Sequence, residues 1–314
     1  TMKLRGEIKR KIALIRNDLE DKKRKGVGRS SGGPKLFVEK EGSAQVAILG
    51  ATNVGKSCLM QAVTNANVVV SPTLYTTQQP TPGIMDFGDV QFQLVETPAV
   101  MTGSGDGRAW GPVTLGVARN ADGIILMIDL LHDPVSQLKL LISELEKSRV
   151  LVFRPNGKVE IDRRHTGAAL RIILVGKLLN TTMKEVEDLL RNYRINDAIV
   201  RISGEVSLDD VEDAIFETTT YKPVVIVANK LDMKGAENNL NALKKFVNGK
   251  LPIVALSCER KTGVKDLGKT LIQTLDIIRV YTKEPGSKEN TGRPFTLKRG
   301  STLEDLAKNI HKEF

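Results

Sequence analysis

The chain has 314 residues, with 47 Lys and Arg against 37 Asp and Glu (a formal charge of +10), and it is 40% hydrophobic and 27% charged. That length allows two or three domains with a sizeable core, and the mixture is that of a globular protein. No apolar run reaches the ~18–20 residues that span a bilayer, the opening TMKLRGEIKRK lacks the apolar stretch of a secretory signal, and two cysteines, Cys58 and Cys258, read as free thiols in a reducing cytoplasm.

Residues 1–40 hold 13 Lys and Arg against 5 Asp and Glu, so most of the excess positive charge sits in one segment. Charge concentrated in this way suits a polyanionic partner, RNA or a ribosome, before a membrane. Leu4, Ile8, Ile12, Ile15 and Leu19 recur at helical spacing and predict an amphipathic helix over roughly residues 3–24. GVGRSSGGP (26–34) is a Gly/Ser-rich boundary. Short apolar strands then alternate with helices. AQVAIL (44–49), VQFQLVE (90–96), GIILMIDL (123–130), the core of YKPVVIVANK and PIVALS read as strands; a helix follows from about Lys56, and SQLKLLISELEKSR reads as another. This alternation predicts an α/β fold, a parallel sheet with helices on both faces, which binds ligands at the carboxyl ends of its strands.

Residues 151–222 interrupt the pattern. GKVEI and ALRIILVG read as strands, and TTMKEVEDLLRNYR and SLDDVEDAIFE as helices with Thr or Ser caps, enough for a small inserted α+β unit. From Arg279 a third unit is predicted: RVYT, a Gly/Pro-rich turn, PFTLKRG, and a helix from about Thr302. Ser301 and Glu304 read as its capping box, with Leu303, Leu306 and Ile310 on one face.

GATNVGKS (50–57) matches G-x-x-x-x-G-K-[ST] between a strand and a helix. Gly50 and Gly55 let the backbone curl around phosphate. The amides of Asn53, Val54, Gly55 and the helix start at Lys56, Ser57 and Cys58 point positive dipoles at it. Lys56 is expected to pair with the β- and γ-phosphates and Ser57 to ligate Mg²⁺. VANKLD selects the base. The Asp232 carboxylate can accept from both N1–H and the exocyclic amine of guanine, whereas adenine presents an acceptor at N1. Lys230 is expected to cover the base, and Asn229 to tie this loop to the phosphate loop. In ALSCE, Ser257 is expected to support the loop, and the Cys258 N–H to reach guanine O6. Together these motifs predict GTP/GDP as the ligand. Within SPTLYTTQQPTPG (71–83), Thr77 is the choice for the switch residue that ligates Mg²⁺, with Thr76 the alternative. His132, His165 and His311 stand alone and show no zinc spacing.

These residues resemble the developmentally regulated GTP-binding protein family, within the Obg-related translation-factor GTPases. The marks run along nearly the whole chain: the basic helix and Gly-rich loop, GATNVGKS, YTTQQPTPG, GSGDGRAWG, GVARNADGIILMIDL, the insertion, NKLD and PFTLKRGSTLEDLAKNIHKEF. The resemblance implies a P-loop NTPase fold divided into a helical region (1–40), a GTPase domain (41–150 and 223–278), an inserted ribosomal-S5-domain-2-like unit (151–222) and the first part of a ubiquitin-like TGS domain (279–314). It also implies association with ribosomes and translation. The chain departs from the family at 96–99, where a motif that normally begins with Asp and ends with Gly reads ETPA. Glu96 moves the carboxylate out by one methylene but can still reach Mg²⁺ through water, and Ala99 can turn its amide toward the γ-phosphate if its φ stays negative. Val100 stands where many small GTPases have a water-orienting Gln. Some similar GTPases bind K⁺ through an Asn at the position of Asn53, with switch carbonyls, here from the 70–77 stretch, completing the shell. Three readings follow: a Mg²⁺-dependent, K⁺-activated GTPase at the ribosome, contacting RNA through its basic N-terminal region and TGS unit; a guanine-nucleotide-binding RNA scaffold with little hydrolysis; and an assembly factor stabilised and completed by a partner protein.

Overall fold

The computed structural model describes residues 38–65, 79–163, 169–283 and 294–310. The expected helix at 3–24, Thr76, Thr77, His165 and His311 lie outside the described residues. The chain divides into two compact units, one containing 154–221 and the other 34–153 with 222–314.

In the larger unit, strand β1 (Ala44–Leu49) leads through the phosphate loop to α1 (Lys56–Val63). There follow β2 (Thr81–Phe87), β3 (Val90–Glu96), α2 (Gly111–Asn120), β4 (Gly123–Asp129), α3 (Pro134–Lys147) and a two-residue strand β5 (Val150–Leu151). β10 (Val224–Asn229), α6 (Ala236–Val247), β11 (Ile253–Ala255), α7 (Lys265–Leu275), β12 (Ile277–Val280), β13 (Phe295–Lys298) and α8 (Leu303–Ile310) complete it; the elements numbered between belong to the smaller unit. The sheet order is β11-β10-β4-β1-β3-β2. β1 pairs in parallel with β3 on one side and β4 on the other, so the chain reverses its direction of winding at β1. That reversal opens a crevice above the carboxyl end of β1, where the phosphate loop begins.

All six residues of β1 are buried, as a strand covered on both faces requires. Ala47 and Leu49 join Leu115, Leu138, Leu141 and Leu240 beneath α2, α3 and α6. Val46 and Ile48 join Leu59, Met60, Leu267 and Leu271 beneath α1 and α7. Burial of each such side chain is worth about 1.5–3 kcal/mol, so this two-faced core holds the site's framework rigid.

Four sequence expectations require correction here. The sheet is mixed, because β2 runs antiparallel to β3 at the edge. Thr81–Gly83, read as the end of a loop, begin that strand, and Pro82 is tolerated because an edge strand has an unpaired side. The capping box of α8 is Thr302 with Asp305, not Ser301 with Glu304: the Asp305 carboxylate accepts from the Thr302 N–H at 2.8 Å, and the Thr302 hydroxyl accepts from the Asp305 N–H at 3.3 Å. Leu303 is 84% exposed and does not face a core.

The smaller unit contains β6 (Gly157–Arg163), β7 (Arg171–Leu179), α4 (Met183–Asn192), β8 (Ala198–Ser207), α5 (Leu208–Phe216) and a short β9 (Thr220–Tyr221). Its three-stranded sheet has β8 in the centre, antiparallel to β6 and parallel to β7. β8 is the strand that periodicity did not reveal. Val200 and Ile202 pack with Val186 and Leu190 of α4 and with Val211 and Ile215 of α5, while Arg201, Ser203 and Glu205 face solvent. Both helices carry full capping boxes, Thr182 with Glu185 and Ser207 with Asp210.

Candidate nucleotide site

The phosphate loop leaves β1 at Gly50 and enters α1 at Lys56. Gly55 sits at φ +98, and a Cβ there would lie 2.3 Å from the Asn229 amide nitrogen, so conformation and crowding both demand glycine. Asn53 is left-handed at φ +61, which Asn tolerates better than most residues. Its side chain is exposed and donates no hydrogen bond within the described residues.

Lys56 is only 7% exposed, and its ammonium donates to the carbonyls of Gly50 at 3.1 Å and Ala51 at 2.8 Å. Burial pulls its pKa down to about 8, with the Glu96 carboxylate opposing that shift. The next residue, Ser57, donates its hydroxyl to Glu96 Oε1 at 2.5 Å. Glu96 ends β3 and is 1% exposed. Hence Lys56, Ser57 and Glu96, which are separated by up to forty positions in sequence, meet at the carboxyl ends of neighbouring strands.

The segment after Glu96 is held on two sides. The Thr97 hydroxyl and N–H both donate to the Ile48 carbonyl, at 2.8 and 3.3 Å, and the Val100 N–H donates to the Gly50 carbonyl at 3.0 Å. The Thr114 hydroxyl of α2 donates to the Pro98 carbonyl at 3.1 Å. Ala99 does not adopt a positive φ, so its Cβ costs no backbone strain. Val100 is 1% exposed and packs in the core with Leu49 and Leu115.

On the base side, the Asn229 amide is buried and doubly committed. Its Nδ2 donates to the Val54 carbonyl at 2.9 Å and its Oδ1 accepts the Cys258 N–H at 3.1 Å. The first bond ties the base loop to the phosphate loop. The second engages the Cys258 N–H, the group expected to reach guanine O6. Lys230 is left-handed at φ +67, and its ammonium is pinned to Asp129 Oδ2 at 2.7 Å. The Ser257 hydroxyl beside Asp232, with the Arg260 guanidinium at 3.5 Å, holds the Asp232 carboxyl below its ordinary range, against a smaller opposing effect of burial. Asp232 is therefore an ionised acceptor at neutral pH. Cys58 and Cys258 are free thiols, both held protonated chiefly by burial.

Sequence reasoning missed Asp129, Thr97 and Glu144. Asp129 had a signal, a lone acid closing a wholly apolar strand. Glu144 had none. It lies on α3, 1% exposed, and takes the N–H groups of Gly103 at 3.1 Å and Gly105 at 2.6 Å, clamping the glycine-rich loop after ETPA.

A phosphate loop at the switch point of a largely parallel sheet, joined to an N-K-x-D loop through Asn229, defines a P-loop guanine-nucleotide-binding GTPase. A family model described as 50S ribosome-binding GTPase matches residues 45–154, and one described as the C-terminal region of that domain matches 169–277. The developmentally-regulated GTP-binding protein 2 homolog of Dictyostelium discoideum is 28% identical over 98% of this chain and 82% of its own length; the mouse developmentally-regulated GTP-binding protein 2 gives the same figures. Developmentally-regulated G-protein 1 of Arabidopsis thaliana is 26% identical over 98% of this chain and 75% of its own length. Among solved structures, Era in complex with MgGDPNP and 16S ribosomal RNA nucleotides aligns at a TM-score of 0.41 with 20% identity, over 86% of this chain and 66% of that one. The chain carries the 50S ribosome-binding GTPase domain, is similar over nearly its whole length to developmentally regulated GTP-binding proteins, and is a GTP-binding GTPase.

Proposed function

We propose that the chain is a Mg²⁺-dependent GTP switch of slow intrinsic turnover that works on the ribosome or its RNA. The observation that carries this reading is the contact of the Ser57 hydroxyl with the buried Glu96 carboxylate beside the Lys56 ammonium. Two hard oxygen donors at the phosphate end of the crevice fit Mg²⁺. When bound there with nucleotide, the ion neutralises charge on the phosphate oxygens. Lys56 exchanges the Gly50 and Ala51 carbonyls for phosphate oxygens, Asp232 accepts from guanine, and Thr77 completes the ion's protein ligands in the triphosphate state. Hydrolysis is slow because Val100 is turned into the core and no side chain at that position orients water.

K⁺ activation through Asn53 belongs to the same reading. Its exposed side-chain amide, held on a left-handed residue, offers its Oδ1 to a monovalent cation beside the phosphates. The charge concentrated in residues 1–40 and the description of the matched family support a ribosomal or RNA partner, contacted through the basic N-terminal region and the TGS unit at 279–314. The unit at 151–222 supplies further contact area in the cytoplasm, and a partner protein stabilises the assembly.

The test is single-turnover GTP hydrolysis in KCl and in NaCl at equal ionic strength, with Lys56→Ala as control. A rate several-fold faster in KCl, abolished by Lys56→Ala and lost on Mg²⁺ chelation, is expected. Equal rates in the two salts would remove the role of Asn53. Tight GTP binding without hydrolysis in either salt would favour the scaffold, for which the burial of Val100 is the supporting observation.

A further inference from the structure

Two features at the carboxyl ends of β4 and β10 are not accounted for by the stability of the sheet. Lys230 takes a left-handed backbone, φ +67, in which a lysine is strained. Asp129 closes a strand that is otherwise wholly apolar, and it is 3% exposed. A buried ion pair adds little net stability over apolar side chains of the same volume. Both features therefore point to a role in what this end of the sheet binds.

Every polar atom of Asp129 has a partner. Its N–H donates to Gln137 Oε1 at 3.0 Å and its carbonyl accepts from Gln137 Nε2 at 2.9 Å, so one side chain of α3 splints the strand end. Oδ1 accepts from the Leu131 N–H at 2.8 Å. Oδ2 is thereby aimed at Lys230, and accepts from its ammonium at 2.7 Å. The adjoining backbone is fixed as well: the Leu130 N–H donates to the Asn229 carbonyl at 3.1 Å, and Asn239 Nδ2 of α6 donates to the Leu130 carbonyl at 2.7 Å. The exposed His132 imidazole stands 3.9 Å from Oδ2, outside hydrogen-bond reach, so Lys230 is the cation that this oxygen holds. An unanchored lysine spreads its stem over many rotamers and loses that freedom when a flat ligand settles against it. Here both ends of the stem are fixed beforehand, one by the left-handed backbone and the other by Asp129. The stem is left as an apolar wall two residues from Asp232, with its charge already neutralised.

We propose that Asp129 is a positioning residue of the nucleotide site, which anchors Lys230 as a preformed wall for the guanine ring and so sets how long the nucleotide stays bound. This rests on the reading of Lys230 and Asp232 as the residues that hold the base. Ordering one long side chain in advance is expected to slow release by about two- to tenfold, since affinity differences within one site lie mostly in the dissociation rate.

The experiment follows release of a fluorescent GDP analogue from the full chain in Mg²⁺ after mixing with excess GDP. Asp129→Asn keeps the volume and removes the charge, and its release is expected to be about two- to tenfold faster. Lys230→Met keeps the stem, loses the ammonium and leaves the strand end untouched, and it should accelerate release by a similar factor. The double variant should release no faster than either single one, because both changes break one link. A residue that only stabilised the strand end would instead add its full effect to that of Lys230→Met. Release at the wild-type rate by a folded Asp129→Asn or by Lys230→Met, or effects that multiply in the double variant, overturns the proposal; Lys230→Met decides even if Asp129→Asn does not fold. Asp232→Ala separates this failure from failure of the base-site reading. It accelerates release where guanine is held as read, whatever happens at Asp129, and leaves release unchanged where that reading is wrong.

Discussion

Asn229 shows what one residue contributes when its whole hydrogen-bonding capacity is used inside the protein. It is 3% exposed, and its two bonds join the phosphate loop, its own strand and the loop after β11. Asn229→Ala leaves the Val54 carbonyl and the Cys258 N–H buried without partners, at a cost of about 2–3 kcal/mol for the pair. Asn229→Asp separates the two roles: the carboxylate still accepts from Cys258 but turns a lone pair toward the Val54 carbonyl. Urea unfolding and GDP titration of both variants check this. Both should lose stability and nucleotide affinity together, and an Asn229→Ala protein that unfolds at the wild-type midpoint contradicts the bridging role. Residues of this kind were legible in the sequence because their chemistry is local. Gly55 needs a left-handed backbone, Lys56 and Ser57 follow it by fixed steps, and Asp232 sits three positions past Asn229. Glu144 was illegible because its role comes only from folding, which brings a loop forty residues upstream onto an ordinary amphipathic helix.

At the scale of elements, that clamp is what orders the segment following ETPA. Two backbone N–H groups and the Lys147 ammonium, 2.9 Å away, surround the Glu144 carboxylate. Burial by itself would raise its pKa, but the Gly105 N–H, the Lys147 ammonium and the Gly103 N–H outweigh burial and the net shift is downward. A carboxyl whose folded pKa is depressed contributes stability that is fully present above its unfolded value, about 4.3, and lost as pH falls through the lower folded value. The loop over Gly103–Gly107 is therefore expected to hold at neutral pH and to loosen in acid before the core strands do. Glu144→Gln should loosen it at every pH, by about 2 kcal/mol, because an amide nitrogen then meets a donor. Hydrogen exchange at the Gly103 and Gly105 amides reads both effects, and unchanged protection in Glu144→Gln would falsify the clamp. The same scale explains the strands that pattern reading missed. β8 alternates Val200 and Ile202 with Arg201 and Ser203, but Gly204 at φ +73 breaks the run where its backbone crowds Asn156. β2 opens with Thr-Pro-Gly, which reads as a turn and is strand only because it lies at an edge.

Over the larger unit as a whole, the β2–β3 hairpin links the nucleotide end to the C-terminal elements. Thr81, just after the 71–78 stretch, pairs with Glu96, and the hairpin tip at Gly88–Asp89 lies about 23 Å away, seven residues along each strand. At that tip the Tyr281 hydroxyl donates to Asp89 Oδ2, and the Arg279 guanidinium lies 3.1 Å from Asp89 Oδ1. Phe87 lies against Gly268 of α7 so closely that a Cβ there would come within 2.3 Å of its ring. A paired ribbon transmits displacement along its length because slipping one residue turns every side chain to the wrong face. Any shift of Glu96 that follows replacement of GDP by GTP is therefore expected to reach β12 through Asp89. Hydrogen exchange over Ile277–Val280, compared between the GDP state and a non-hydrolysable GTP analogue, should differ in the wild type and converge in Asp89→Ala, which removes both contacts. Tyr281→Phe removes one and should give an intermediate difference. If the two nucleotide states already give identical exchange across β12 in the wild type, the hairpin carries no signal and the C-terminal elements respond to their ligands independently of the nucleotide.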